Sequence, residues 1–352
     1  MRKLPFDNTV QPICVGSGLV ALDVVISNDP ATSAQFFAGG SCGNVLCILS
    51  YFGWSSYPVA RLSNNVATQI LIEDFLKWNI KTDAISVTSD GSTPIIIQRI
   101  IKNKKGKLKH RFEFRNPENG EYLPSFKPVL AKSVSTIVAS IESCDVYFFD
   151  RISRSSIDLA LEYKRQGSLV FFEPSNFKDF NEFNKCLEFS DIVKFSNDRI
   201  SDYDVHYPYC VAPLEIQTLG DKGLQFRLKG DKIWSHVPGY NIETLVDAAG
   251  AGDWCTAGII MYLRSLNIKN LLNITPSEIF EAARFGQLLS AFNCGYEGAR
   301  GLMYNYSKNV FIAHLNEIIN TFSGLLVIKN STEVRYRQSK DNINISSLTE
   351  PI

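Results

Sequence analysis

The sequence predicts an α/β fold: a mostly parallel central sheet flanked by helices, with a small β-sheet lid. Three observations carry this. Short apolar runs alternate with amphipathic segments along most of the 352 residues, the pattern of parallel strands joined by crossover helices. Residues 94–115 break that alternation with two strand-like runs joined by Asn103-Lys104-Lys105-Gly106-Lys107, which reads as a β-hairpin. Late in the chain, small residues between two carboxylates (Asp247-Ala248-Ala249-Gly250-Ala251-Gly252-Asp253) open an apolar, helix-competent segment.

The elements follow in order. Residues 13–19 read as the first strand, 43–52 as a helix ended by Gly53, 57–61 as a strand and 66–78 as a helix. Residues 24–26 and 35–37 join the hairpin in a separate small sheet, and a sheet emerging near a ligand site suggests a lid. Strands at 146–149 and 168–172 flank a helix at 155–165, and strands at 192–195 and 214–219 continue the series. Helices are expected at 251–266, 276–293 and 310–319. After Phe322 comes one short apolar run, 325–328, then a polar stretch. The expectation is one compact body over residues 1–330, with lid strands inserted at about 24–38 and 94–115. Residues 331–352 read as a poorly ordered tail.

Composition narrows the function. Lys plus Arg and Asp plus Glu number 36 each, so the formal charge is zero. That gives no basic surface for nucleic acid or anionic membranes. Eight cysteines are scattered without Cys-x-x-Cys spacing, and read as small buried hydrophobes in a reducing compartment. No apolar run reaches the length of a membrane span, and the first apolar run is interrupted by Asp23. The expected location is the cytoplasm.

The acid-flanked motif carries the chemistry. Small residues let backbone N–H groups converge on one point. A helix starting there adds unpaired N–H groups and its positive dipole end, together an anion pocket. Asp253 falls in the first turn, where a phosphoryl-transfer enzyme needs a base for the attacking hydroxyl. The competing reading is a tight turn with an ordinary N-terminal acid. Upstream, Gly39 and Gly40 allow close approach of a ligand, and Asn44 offers both a donor and an acceptor to a sugar hydroxyl. Asp23 reads as the end of the first strand, the place where α/β folds bind ligands.

In that order, Asp23, Gly39-Gly40 with Asn44, and Gly250-Ala251-Gly252-Asp253 before a helix resemble the PfkB (ribokinase-like) family of carbohydrate kinases. Thr218-Leu219-Gly220-Asp221-Lys222-Gly223 is similar to that family's nucleotide-lining Thr-x-Gly-x-x-Gly turn, and Gly298-Ala299 to its late Gly-Ala. The resemblance spans about residues 10–320. It implies a ribokinase-like fold with a Rossmann-type sheet, and ATP-dependent phosphorylation of a sugar or sugar-acid hydroxyl. By position it implies Asp253 as catalytic base and the Gly250, Ala251 and Gly252 amides as the anion hole. Asp23, Gly39, Gly40 and Asn44 would bind the sugar, and Thr218, Gly220 and Gly223 the ATP. Asp247 would help hold a monovalent cation such as K⁺ or a Mg²⁺-linked water. A homodimer through the lid is a further implication.

The chain departs from the family pattern. Ala248 stands where Thr or Ser is usual. Ser196 and Arg199 stand where Asn and a Mg²⁺-organising Glu are usual, a charge reversal beside the triphosphate. Three readings stay open: Arg199 pairs phosphate directly, Asp198 swings in, or metal handling is weakened. Residues 200–212 are short for the full helix usual there. Glu173, after the 168–172 strand, reads as a water-linked Mg²⁺ ligand or a turn-stabilising acid. Arg99, His110 and Arg111 on the lid read as contacts for an acidic sugar or as a solvated face. Two alternatives accompany the sugar-kinase reading. One is a kinase-like protein that binds sugar or nucleotide without fast catalysis. The other is a nucleoside kinase, for which no aromatic pair is assignable from the sequence.

Overall fold

The computed structural model describes residues 5–6, 11–27, 33–102, 108–176, 179–267, 271, 273–321, 325–326 and 344–352. In chain order its elements begin β1 (Ile13–Ser17), β2 (Ala21–Ile26), β3 (Gln35–Gly39), α1 (Ser41–Tyr51), β4 (Ser55–Leu62), α2 (Val66–Lys77), β5 (Ile85–Val87), β6 (Ile95–Lys102) and β7 (Leu108–Glu113). They continue α3 (Val134–Ser140), β8 (Val146–Phe149), α4 (Arg154–Arg165), β9 (Leu169–Phe172), α5 (Phe180–Phe189), β10 (Ile192–Ser196), α6 (Tyr203–His206), β11 (Leu214–Thr218), β12 (Gly223–Leu228), β13 (Ser235–Pro238) and β14 (Asn241–Ile242). The last are α7 (Ala251–Ser265), α8 (Pro276–Asn293), α9 (Gly301–Asn305), α10 (Lys308–Thr321) and β15 (Leu325–Leu326).

Nine strands form the main sheet in the order β13-β12-β11-β10-β9-β8-β1-β4-β5. From β5 to β11 every pairing is parallel; β12 and β13 are added antiparallel. The inner strands are apolar on both faces because both are covered. Tyr147, Phe149, Val170, Phe172, Val193 and Phe195 pack with α3, α4 and α5 on one side. Phe148, Phe171, Ile192 and Ile216 pack on the other, in a core shared with α1, α7 and α8. The α7–α8 contact is close because two glycines meet: a Cβ on Gly258 would lie 2.6 Å from Gly286 Cα. All eight cysteines are unpaired, and seven are buried.

The lid is a four-stranded sheet, β3-β2-β6-β7. β2 and β6 run parallel, while β3 and β7 are antiparallel edges. The small sheet was legible in the sequence, but it is not free-standing. Leu22, Val24, Phe36, Ala38, Ile95 and Ile97 join the main core alongside Ala67, Ile70 and Leu71 of α2. The opposite lid face is left for the cleft.

Two further expectations are corrected. Asp23 does not end the first strand; it lies mid-strand in β2, because the apolar run breaks at Gly18 and turns into the lid. The tail is not loose at its end. Residues 344–352 dock, with Leu348 fully buried, Asn65 bridging Pro351, and Glu118 accepting the Ile345 and Ser346 amides at 3.0 and 3.1 Å. The stretch 331–343 lies outside the described residues, as do 28–32 and 103–107 within the lid insertions. Strand β5 and helices α3 and α5 had no clear sequence signal. Between β10 and β11 the chain makes only the single turn α6, whose Tyr203 is buried against Phe195. No helix among the described residues is long and apolar enough to cross a membrane.

Candidate active site

A cleft of about 570 Å³ opens at the C-terminal ends of the parallel strands. Its walls are the start of α7, the start of α1, the ends of β10 and β11, and the inner face of the lid. Ligands of open α/β sheets bind at this edge because loops and helix N-termini converge there. A larger groove, about 690 Å³, meets the cleft at Arg151 and Pro174 but contains none of Asp253, Asp23 or Asn44.

Helix α7 begins at Gly250, whose φ of 70° is the left-handed conformation that favours glycine. A Cβ there would lie 2.1 Å from the Ala299 carbonyl oxygen. No side chain caps the helix, so the amides of its first turn face the cleft without side-chain acceptors. Of the three expected anion-hole amides, that of Ala251 donates to the Ala248 carbonyl at 3.2 Å. Gly250, Ala251, Gly252 and Asp253 all line the cleft.

Asp253 accepts a hydrogen bond from Asn44 Nδ2 at 2.8 Å, joining α7 to α1. Burial and the nearby charge of Glu173 push its carboxyl up to about 8, against the opposing effects of Asn44, Lys194 and Arg199. Beneath it lies Lys194, the one charged residue of β10, only 1% exposed. Its Nζ meets Glu173 Oε1 at 2.5 Å and the Gly252 carbonyl at 3.3 Å. Burial opposes the ammonium charge, but Glu173, Cys255 and Asp253 outweigh it and hold its pKa above the ordinary lysine value. Thr256, one turn into α7, donates to Glu173 Oε2 at 2.5 Å. The cluster anchors the first turn of α7 over β9 and β10.

Asp23 folds over Gly39. A Cβ on Gly39 would lie 2.0 Å from Asp23 Oδ2, so only glycine leaves the carboxylate its place. Gly39 therefore makes room for Asp23 instead of lining the cleft itself. Burial raises Asp23 to about 7, opposed by Arg300 and by the Gly40 amide. Gly40 (φ 76°) starts α1, again without a side-chain cap. Asn44 Oδ1 is buried and has no hydrogen-bond partner among the described residues, an acceptor left open for a ligand hydroxyl. Behind this wall, buried Arg300 pairs with Asp74 at 2.8 Å and also bonds the Ala38 carbonyl; Tyr304 donates to Asp74 at 3.1 Å.

At the other end of the cleft stand Ser196, Arg199 and Thr218. Gly220 and Gly223 are not among its lining residues. Gly223 is required by packing, since a Cβ would lie 2.3 Å from the Val237 carbonyl oxygen; Gly220 turns the chain at φ 65° with open space around it. Asp247 also departs from expectation. Its carboxylate is 1% exposed and accepts from Ala249 N (2.6 Å), Gly298 N (2.7 Å) and Gln98 Nε2 (3.2 Å). It braces the motif loop against the lid and the Gly298 turn. Both oxygens of Glu173 are likewise engaged. Among the described residues no three His, Cys, Asp or Glu side chains gather as a metal site. With Asp247 and Glu173 engaged in these bonds, no carboxylate cluster is gathered to hold Mg²⁺ directly; Lys194 and Arg199 supply positive charge at the cleft. On the outer lid face, Glu113 pairs with both Arg99, at 3.1 Å, and Arg111, at 3.4 Å; the side chain of His110 lies outside the described residues.

Sequence reasoning missed Lys194, Thr256, Gln98, Arg300 and the lid aromatics Phe112 and Phe114. A lysine inside the apolar strand Ile192-Val193-Lys194-Phe195 was a usable signal, since such residues are buried only when paired. The others depend on pairings between separate elements, such as Thr256 with Glu173 and Arg300 with Asp74, and leave no local pattern.

No protein-family model matches the chain, and no curated protein matches it significantly in sequence. Solved structures do match in shape. The ribokinase of Giardia lamblia superposes with a TM-score of 0.64 at 14% identity, covering 82% of this chain and 96% of that one. A nucleoside kinase from Burkholderia thailandensis in complex with inosine gives 0.62 at 12%, covering 88% and 97%. A fructokinase from Xylella fastidiosa with bound ATP gives 0.62 at 16%, covering 82% and 93%. The chain has the ribokinase-like α/β fold.

Proposed function

We propose that this ribokinase-like chain transfers the γ-phosphoryl group of ATP to a hydroxyl of a sugar or sugar-containing acceptor. One observation carries the reading. Asp253 sits at the uncapped start of α7, bonded to Asn44, in a single cleft with Asp23 on one side and Thr218, Ser196 and Arg199 on the other.

The acceptor hydroxyls bond to the Asp23 carboxylate and to Asn44 Oδ1. Asp253 removes the proton of the attacking hydroxyl, and a carboxylate tuned near the working pH suits that transfer. Charge spreading over the transferring group meets the first-turn amides of α7, Gly252 foremost, and the helix dipole. The Lys194–Glu173–Thr256 cluster holds that turn in place, so the donors need not reorganise during the reaction. Arg199 and Thr218 take the ATP side, with the guanidinium pairing phosphate oxygens. Mg²⁺ screens triphosphate charge when bound, and here it would arrive on the ATP; no K⁺ site is assigned.

A sugar and polyol panel with ATP, read by ADP release, tests the reading, with Asp253→Asn as control. The expected result is acceptor-dependent ADP formation that the variant loses. ADP formation unaffected by the variant would remove Asp253 from its role. The charge reversal at Arg199 favours a second reading, binding without fast turnover. Calorimetry that finds ATP and acceptor bound, with no ADP released, selects it.

A further inference from the structure

The inner face of the lid has a polarity gradient that follows from strand register. Side chains alternate across a strand, so register partners share a face. Asp23 of β2 pairs with Ile96 of β6, and Val25 pairs with Gln98. Gln98 in turn pairs with Phe112 of β7, which puts Phe114 two residues on, beside Ile96. Asp23, Ile96, Gln98, Phe112 and Phe114 all line the cleft. The row therefore runs from a carboxylate at the reacting end, through an aliphatic side chain, to two phenyl rings at the rim. Adjacent strands are about 4.8 Å apart, so Asp23 and Phe114 stand about 10 Å apart along the row.

Phe112 and Phe114 are 53% and 58% exposed. Two large aromatic side chains on the wall of a polar cleft are an apolar surface awaiting a ligand. The odd-numbered face of β6 and β7 carries Ile97 in the core and the Arg99–Glu113 ion pair at the edge. The aromatic pair is therefore confined to the side that faces the site.

Resting on the kinase reading above, we propose that the acceptor is a nucleoside. Its ribosyl hydroxyls would lie at Asp23, Asn44 and Asp253, and its planar base would stack on Phe112 and Phe114, which act as specificity-determining residues. A free sugar fills only the polar end of the row. A base adds stacking on the aromatic end, worth about tenfold or more in affinity.

The test uses the full chain, with inosine and uridine against ribose and fructose, by calorimetry and by ADP release. The expected result is nucleoside binding about 10- to 100-fold tighter than free-sugar binding. In Phe112→Ala/Phe114→Ala that ratio collapses toward one, while Phe114→Tyr keeps it. Equal affinity for nucleosides and free sugars overturns the proposal, as does a ratio unmoved in the alanine variant. Free sugars phosphorylated without nucleoside preference would sink this inference and leave the kinase reading standing. Nucleoside bound through the phenylalanines with no ADP released would do the reverse. If sedimentation shows the alanine variant losing a dimer while the ratio holds, the rings serve a contact between copies and the proposal fails.

Discussion

Asn44 donates its side-chain amide to Asp253 Oδ2 at 2.8 Å, linking two helix starts 209 residues apart in sequence. The bond favours the charged carboxylate and opposes the burial that pushes Asp253 up to about 8. Removing the donor moves the carboxyl higher still. Asn44→Ala is therefore expected to displace the acid limb of the kcat/KM profile to higher pH, beyond lowering the rate. A variant that is slower at every pH, with an unmoved limb, would detach Asn44 from the titration of Asp253.

Asp253→Asn should cost about 10²- to 10⁴-fold in turnover and change the pH dependence of stability. In the unfolded chain this carboxyl ionises near 3.8; in the fold it stays protonated to about 8. Between those values the folded state binds more protons, so the group's contribution falls as pH rises and levels off above 8. The variant lacks that loss. Its thermal midpoint relative to the parent should climb from pH 5 to pH 8, by about 2–4 °C per kcal/mol recovered. A constant difference across the range would show that Asp253 titrates normally.

Arg199 lines the cleft beside Ser196 and Thr218, in the place where the family resemblance leads one to expect a carboxylate. Arg199→Ala should raise KM for ATP about tenfold, the loss of one charge-assisted contact, with KM for the acceptor unmoved. Arg199→Glu should make activity depend more steeply on free Mg²⁺. A magnesium titration superimposable on the parent's would count against Arg199 as the phosphate partner.

Gly39 holds space for the Asp23 carboxylate, 2.0 Å from where a Cβ would stand. Gly39→Ala should displace that carboxylate and raise KM for the acceptor by at least about tenfold, leaving KM for ATP near the parent value. Equal effects on both substrates would show that the lid, and not Asp23 alone, had moved.

Much of this was legible along the chain. Regular alternation announced the parallel sheet because each strand is short and covered on both faces. The small-residue motif announced the α7 turn because Gly250 needs a positive φ. Asp23 was found but misplaced, since nothing local distinguishes a strand end from a turn into a second sheet. Gly223 and Asp247 also meet structural demands that the sequence did not reveal: glycine at a close backbone approach and an acid bracing a loop look the same in sequence as ligand contacts. The Phe112–Phe114 pair was invisible because its meaning depends on which lid face turns toward Asp253.

By itself the sequence determined the fold class and singled out Asp253, Asn44 and Asp23, which line one cleft. These rest on periodicity and on backbone demands that each segment expresses locally. Only the tertiary structure decided that Asn44 bonds Asp253, that Lys194 engages Glu173 beneath the α7 turn, and that two phenyl rings line the same cleft. Hydrogen bonds, ion pairs and shared faces between distant segments are settled by packing, and packing leaves no pattern in any one stretch of chain.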